Sequence, residues 1–495
     1  MKVIGLDVGT TCVKAAVFTS EGVIEGFSQQ EYNIIHSGQN AEQDAEKVWE
    51  SAKTVITEVN TGDIEAICVS VQGDAVIPVD KSFKPLHNAL LGMDYRTIVQ
   101  TKKCSDTFGD RALFERTGMR PHPLNSLTKI LWFKEEAPHI YAKTEKFMTY
   151  ADYISAQLGC SPVIDYSMAS RTMAFDLREM CWAKDILETL EINTDLFSEA
   201  VPSGQIIGYI NGRVSSELGL KKIPIVSGGH DQVCAALGAG VTDENIVLDS
   251  HGTAEVLSAT MHKPILSEIM YESFYPCYLH AKKGMYFTFA LNHTAGLLFR
   301  WYRDKFAYTE TVKAKEINTD PYAQIISCMH DGPSPVLVLP HFNGSGTPWC
   351  DLNSNGAIVG LKFDTDRHDI AKAILESSAF EARINIEQMK KAGIGFGELR
   401  CVGGASKSDL WMQIKADITG LRIVKPAIEQ AACLGAALLA LTALGAYTSV
   451  DKAVSNIVKF TEIYEPDITM QKCYDEKYAI YQKLYPALRE INEMI

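Results

Sequence analysis

Val3-Ile-Gly-Leu-Asp-Val-Gly-Thr-Thr-Cys-Val-Lys-Ala-Ala-Val-Phe18 places two short apolar runs on either side of one glycine turn. The pattern predicts a β-hairpin with Gly9 permitting the turn and Thr10 and Thr11 at its tip. It returns at Ile246-Val-Leu-Asp-Ser-His-Gly-Thr-Ala-Glu-Val-Leu-Ser258, where Leu248-Asp249-x-x-Gly-Thr matches Leu6-Asp7-x-Gly-Thr. Strand–helix alternation follows each hairpin. After the first come a strand over Val23 to Gln29, a helix over Ala45 to Val59 and an apolar strand over Ile64 to Val71. After the second come a strand at Val336 to Leu339, a helix over Ile370 to Lys391, a strand at Leu399 to Val402 and a helix over Asp409 to Thr419. Two such units predict a duplicated α/β fold, with halves 1–244 and 245–495.

Length and composition agree with that division. A chain of 495 residues is too long for one core. A net charge of −14 argues against a nucleic-acid or anionic-membrane partner, which needs a basic surface. The 12 cysteines show no Cys-x-x-Cys pair and no zinc-type spacing, so they read as reduced cytoplasmic thiols. Met1 enters a strand at once, which leaves no room for a signal peptide. Gln430 to Val450 carries no charge over a length that would suit a membrane span. Its alanines and glycines, with no aromatic anchors, fit a helix buried on all sides instead. The segment from Phe108 to Gly159 reads as mainly helical, and a further helix is expected over Leu177 to Leu190.

The candidate chemistry centres on Ile223-Pro-Ile-Val-Ser-Gly-Gly-His-Asp-Gln-Val-Cys-Ala-Ala-Leu-Gly-Ala-Gly240. Ile225 and Val226 read as a short strand broken by Ser227-Gly228-Gly229, and Gln232 to Leu237 as a compact helix. Asp231 therefore sits at a strand-to-helix junction, where glycines let another molecule approach. It could cap the helix, as aspartate often does, or act as a general base on a bound hydroxyl. The two Gly-Thr turns suit phosphate, because successive backbone N–H groups form an anion-binding concavity. Lys14 could add a cation. Asp7 and Asp249 precede the turns, and a carboxylate beside a polyphosphate often holds Mg²⁺. Gly403-Gly404 before a helix is a further close-approach site for a nucleotide. No Gly-Lys dipeptide occurs, so a Walker A loop is excluded. Asp-Phe-Gly, His-Arg-Asp, His-Glu-x-x-His and Gly-x-Ser-x-Gly are absent as well.

Gly356-Ala-Ile-Val-Gly-Leu361, followed after seven residues by Asp369-Ile-Ala-Lys-Ala-Ile-Leu-Glu376, resembles the C-terminal pattern of the FGGY family of carbohydrate kinases. Gly5-Leu-Asp-Val-Gly-Thr-Thr11, Gly228-Gly-His-Asp231, Ser250-His-Gly-Thr253 and Gly403-Gly-Ala-Ser406 resemble its other motifs, in the family's order over essentially the whole chain. The resemblance implies two actin-like, ribonuclease H-like ATPase domains with a cleft between them. It implies ATP and Mg²⁺ as cofactors, a small sugar as substrate, and a homodimer as a common state. Asp231 would be the general base and Asp7 would help hold Mg²⁺. Gly9, Thr10, Thr11 and Lys14 would line the first phosphate loop, and Gly252 and Thr253 the second. Gly403, Gly404 and Ala405 would meet the adenine nucleotide.

On the sugar side the chain departs from the family. Gln72-Gly73-Asp74 stands where xylulokinases have Gln-Met-His and glycerol kinases an Arg-Glu pair. Gly92-Met93-Asp94-Tyr95-Arg96 keeps the Asp and Arg of Trp-x-Asp-x-Arg and loses the Trp. Gln72, Asp74, Asp94, Arg96 and Gln232 are the expected hydroxyl partners beside Asp231, while Asp94 and Arg96 could equally form a surface ion pair. His230 and His251 read as polar fillers. The expected reaction is phosphorylation of a primary hydroxyl on a ketose of the pentulose type, xylulose- or ribulose-like. A polyol or hexulose is the alternative acceptor. An actin- or chaperone-like ATPase and a non-catalytic sugar sensor are the rivals from other classes.

Overall fold

A computed structural model describes residues 1–495. Its two large sheets divide the chain between them. The first contains β1 (Lys2–Val8), β2 (Cys12–Thr19), β3 (Ile24–Glu31), β4 (Ala66–Val71), β5 (Ile206–Tyr209) and β6 (Pro224–His230), in the order β3-β2-β1-β4-β6-β5. The second contains β7 (Ile246–His251), β8 (Glu255–Met261), β9 (Tyr278–Leu279), β10 (Tyr286–Asn292), β11 (Glu398–Gly403), β12 (Arg422–Pro426) and β13 (Phe460–Tyr464). Its order is β9-β10-β8-β7-β11-β12-β13.

The sheets share one plan. β1 pairs antiparallel with β2 and parallel with β4, as β7 pairs antiparallel with β8 and parallel with β11. The repeat seen in the hairpins thus extends through both sheets. A near-continuous apolar run explains β1: Val3, Ile4, Leu6 and Val8 are fully buried, so both of its faces are covered.

Five helices position the site: α1 (Ala45–Val59), α2 (Asp231–Gly238), α3 (Arg367–Lys391), α4 (Asp409–Thr419) and α5 (Ala431–Ala443). α1 starts where Asp44 Oδ1 accepts the N–H groups of Glu46 and Lys47, and it buries Val48, Ala52, Val55, Ile56 and Val59 along one face. α5 is the uncharged stretch near the C-terminus. It lies against β1, β4 and α2 of the first sheet's half, and a Cβ on Gly435 would stand 1.8 Å from the Cys234 carbonyl oxygen. It is therefore buried between the two halves, and no helix is long and apolar enough to cross a membrane.

Two expected elements differ. The helix predicted over Leu177 to Leu190 shrinks to Lys184–Thr189. Asp176 Oδ1 accepts the N–H groups of Arg178 and Glu179, and this local turn competes with helix there. The break predicted at Ser227-Gly228-Gly229 is a register shift and not a strand end: pairing with β4 slips between Val226 and Gly229, and β6 runs on to His230. A Cβ on Gly228 would stand 1.8 Å from the Val69 carbonyl oxygen, so the close approach there is made by the neighbouring strand and not by a ligand.

Candidate active site

Parallel pairing of β1, β4 and β6 sets Asp7 opposite Ser70 and Ser70 opposite Gly229. Asp231 follows two residues later, as the first residue of α2. Both carboxylates thus stand at the carboxyl ends of parallel strands with only β4 between them, where open α/β sheets bind ligands. Asp7 accepts a hydrogen bond from Ser70 Oγ at 2.8 Å, and burial raises its pKa. Asp231 does not cap α2. Its Oδ1 accepts the N–H of the adjacent Gln232 at 2.6 Å, and His230 holds the N-cap position. Its side chain keeps 27% of its exposure, yet desolvation and then the negative charge of Asp7 push its carboxyl up to about 7. A group of that pKa exchanges protons readily at neutral pH.

His230 is more than a filler. Burial and then Arg171 hold its pKa well below the usual range, so the ring is neutral. Nδ1 lies 3.2 Å from Tyr278 Oη and Nε2 lies 3.1 Å from Asp231 Oδ1. Burial keeps the Tyr278 phenol protonated. The phenol then donates to Nδ1, which holds the ring with its Nε2 edge against Asp231. Tyr278 belongs to β9, so the second sheet's half fixes the histidine ring that lies beside the Asp231 carboxylate.

The first turn presents donors. The carbonyls of Gly9, Thr10 and Thr11 are taken by Tyr32 Oη, Gln43 Nε2 and the Tyr32 N–H. What remains for a ligand is the Thr10 and Thr11 N–H and hydroxyl groups, an anion-binding set. Lys14 lies opposite Asp7 in the β1–β2 register and moderates its raised pKa. Gln72 supports this turn. Its Nε2 donates to Gln43 Oε1 at 2.9 Å, and Gln43 in turn holds the Thr10 carbonyl.

In the second turn the carbonyls of Gly252 and Thr253 are taken by the N–H groups of Gly296, Ala295 and Leu297. Gly252 and Thr253 line a cavity of about 630 Å³, together with Gly404, Ala405, Arg300, Lys407 and Trp411. Gly403 does not line it. With φ +96 it turns the chain, and a Cβ there would stand 2.5 Å from the His251 carbonyl oxygen, so it packs on β7 behind the cavity. Asp249 corrects a further expectation. It is fully buried and ion-paired with Lys415, whose Nζ also donates to Glu255 Oε1 at 2.5 Å and to His251 Nδ1 at 3.1 Å. Three ammonium hydrogens meet three acceptors, so Asp249 Oδ2 has a cation already, its buried Oδ1 keeps no protein partner, and His251 is tied into the same cluster.

On the acceptor side, Asp94 and Arg96 take up each other. Asp94 is fully buried and accepts the Ala41 N–H, the Arg96 N–H and two guanidinium donors, while Arg96 also reaches Glu42 Oε1 at 2.6 Å and covers Trp132. This buried ion pair leaves no place for a substrate hydroxyl, which corrects the expectation for both residues. Asp74, with φ +68, is buried and ion-paired with Arg171. A Cβ on Gly73 would stand 2.8 Å from Arg171 Nε and 2.9 Å from His230 Nε2. The space that a larger residue would fill at position 73 is occupied by Arg171 and His230. Gln232 keeps a buried Oε1 without a protein partner. Beside Arg171 lies a second cavity of about 260 Å³, between the helical insertion and the second half. Arg171, Tyr278 and Gln43 had no signal in the sequence, since each comes from an element remote from the motifs it serves.

Known proteins share this architecture. The model of the FGGY family of carbohydrate kinases, N-terminal domain, matches residues 2–238, and that of the C-terminal domain matches 248–444. A xylulose kinase from Staphylococcus epidermidis is 27% identical over 99% of this chain and 97% of its own length. A glycerol kinase from Saccharolobus islandicus is 31% identical over 95% of this chain and 93% of its own. The crystal structure of a ligand-bound xylulose kinase from Lactobacillus acidophilus superposes with a TM-score of 0.90 at 23% identity, covering 99% of this chain and 98% of that one. The chain belongs to the FGGY family of carbohydrate kinases, ATP-using phosphotransferases of the actin-like ATPase fold.

Proposed function

We propose that this kinase transfers the γ-phosphate of ATP to a primary hydroxyl of a small sugar, with Asp231 as general base. One observation carries the proposal: Asp231, pushed up to about 7, stands beside Asp7 at the strand ends. The acceptor hydroxyl gives its proton to Asp231, its oxygen attacks the γ-phosphorus, and the bond to the ADP oxygen breaks. Phosphoryl transfer needs positioning and charge neutralisation more than covalent help. The free donors of Thr10, Thr11 and Thr253 in the two turns supply the first, and Lys14 adds charge. Mg²⁺ would neutralise the phosphates, and Asp7, whose only carboxylate partner is a hydroxyl, is the residue that fits it. The cavity at Gly404 and Ala405 takes the nucleotide, with Gly403 shaping its floor. Gln232, next in the chain to the base and with a buried unpartnered Oε1, is the residue left for acceptor contacts, while both oxygens of Asp74 are held by Arg171.

We assign residues 1–244 to the base and acceptor, and 245–495 to the nucleotide. The likeness to xylulose kinases makes a pentulose the first neutral acceptor to try, ahead of a polyol or hexulose. The test is ADP release from Mg-ATP across ketoses, aldoses, polyols and sugar acids, with Asp231→Asn alongside. One acceptor stimulates release, and the variant loses roughly 10²–10⁴-fold. ATP turnover that ignores every acceptor, or a fully active variant, overturns the proposal in favour of a partner-gated ATPase.

A further inference from the structure

The 260 Å³ cavity beside Arg171 has a one-sided chemistry. Its lining includes no aspartate and no glutamate, in a chain of net charge −14. The buried side-chain atoms of its lining that lack a protein partner, Arg171 Nη1 and Asn125 Nδ2, are both donors. Arg120 has no carboxylate partner; it donates Nη1 to the Tyr271 carbonyl at 3.1 Å and its guanidinium covers the Phe274 ring at 3.9 Å. Arg171 spends Nε and Nη2 on Asp74, and its buried Nη1 has no protein partner. Asn125 accepts the His122 N–H at Oδ1, and its buried Nδ2 is unpartnered. His122 Nδ1 accepts the Leu124 N–H, which leaves the ring proton on Nε2 as another donor.

A neutral sugar offers hydroxyls that must donate as well as accept, and for these the side chains of the lining offer chiefly His293 Nε2 and the Tyr95 hydroxyl, with no carboxylate. Buried donors without acceptors are costly, and guanidinium groups pair best with planar oxyanions. We infer that the cavity binds a carboxylate, so that the acceptor of this kinase is a sugar acid of the aldonate type, held by Arg120 and Arg171. The charge count favours carboxylate over phosphate. Asp74 offsets Arg171 and His122 is neutral, which leaves Arg120 as the one uncompensated charge. Arg171 joins the cavity to the base, since it and His230 both crowd the Gly73 position and His230 touches Asp231. This inference rests on the kinase assignment above and narrows its acceptor.

The experiment compares five- and six-carbon aldonates with the matching alditols, ketoses and sugar phosphates, by ADP release in the wild type, Arg120→Met and Arg120→Lys. Calorimetry of each aldonate without nucleotide runs in parallel, and melting midpoints confirm that the variants fold. We expect the best aldonate to exceed its neutral match in kcat/KM by roughly 10- to 100-fold, the worth of a charge-assisted hydrogen bond. Arg120→Met should collapse that ratio through KM, and Arg120→Lys should restore part of it. A neutral ketose or a sugar phosphate preferred over every aldonate overturns the inference and leaves the kinase intact. If no acceptor releases ADP, the kinase assignment fails. Calorimetry then decides the cavity alone: aldonate binding lost in Arg120→Met supports it, and no aldonate binding to the wild type overturns it.

Discussion

Asp7 and Asp249 occupy the same place in two hairpins of the same topology, and their surroundings give them opposite work. Asp7 has a hydroxyl for a neighbour, a raised pKa and Lys14 across the register. Asp249 is sealed under the 630 Å³ cavity with Lys415, Glu255, His251 and the Cys401 thiol. The duplicated backbone therefore preserves position but not role. One residue from α4, Lys415, turns a metal-type carboxylate into a structural ion pair.

The largest effect that could break this contrast is on stability. Lys415→Met leaves Asp249 and Glu255 buried without their cation, which should cost about 3–5 kcal/mol in urea unfolding or abolish soluble protein. Unchanged stability would mean that Asp249 does not depend on the ion pair. Next in size, Asp7→Asn should lose about 10- to 100-fold in kcat/KM and demand more Mg²⁺, with no drop in melting temperature. An Asp7→Asn enzyme with normal Mg²⁺ dependence would remove the distinction between the two carboxylates.

The pH profile sharpens it further. The acid limb of kcat/KM should fall as pH drops through about 7, where Asp231 takes up a proton. Asp7 is the charged neighbour that raises Asp231 most, so Asp7→Asn should move the limb to lower pH, whereas Asp249→Asn should leave its midpoint in place. The smallest effect is a linked change in stability. The folded-state pKa of Asp231 is raised from 3.8 to about 7, so its contribution to stability is full below the lower value and lost as pH rises through the upper. Asp231→Asn should therefore melt higher than wild type at pH 8, with the gap closing towards pH 4. A constant gap across that range would show that desolvation does not set the pKa.

Much of the fold was legible because its signals are local. Alternation around Gly9 and Gly252 marks the hairpins, and apolar spacing locates α1 and α4 at their observed residues. Ser227-Gly228-Gly229 misled because glycine serves both turns and tight strand packing, and only the Val69 carbonyl in the adjacent strand distinguishes the two. Leu177 to Leu190 misled because the Asp176 side chain competes for backbone N–H groups over a few residues. Asp94 and Arg96 looked equally available for a substrate or for each other, and burial settled the matter.

The order of hairpins, glycine turns and the Asp231 junction was determined by the sequence itself, since propensity and turn geometry act within a few residues. The partners of each carboxylate were decided only by the tertiary structure. Lys415 reaches Asp249 across 166 positions, Arg171 reaches Asp74 across 97, and Tyr278 reaches His230 across 48. Charge, desolvation and hydrogen bonding act over a few ångströms of space, and no periodicity along the chain records which remote residue will fill them.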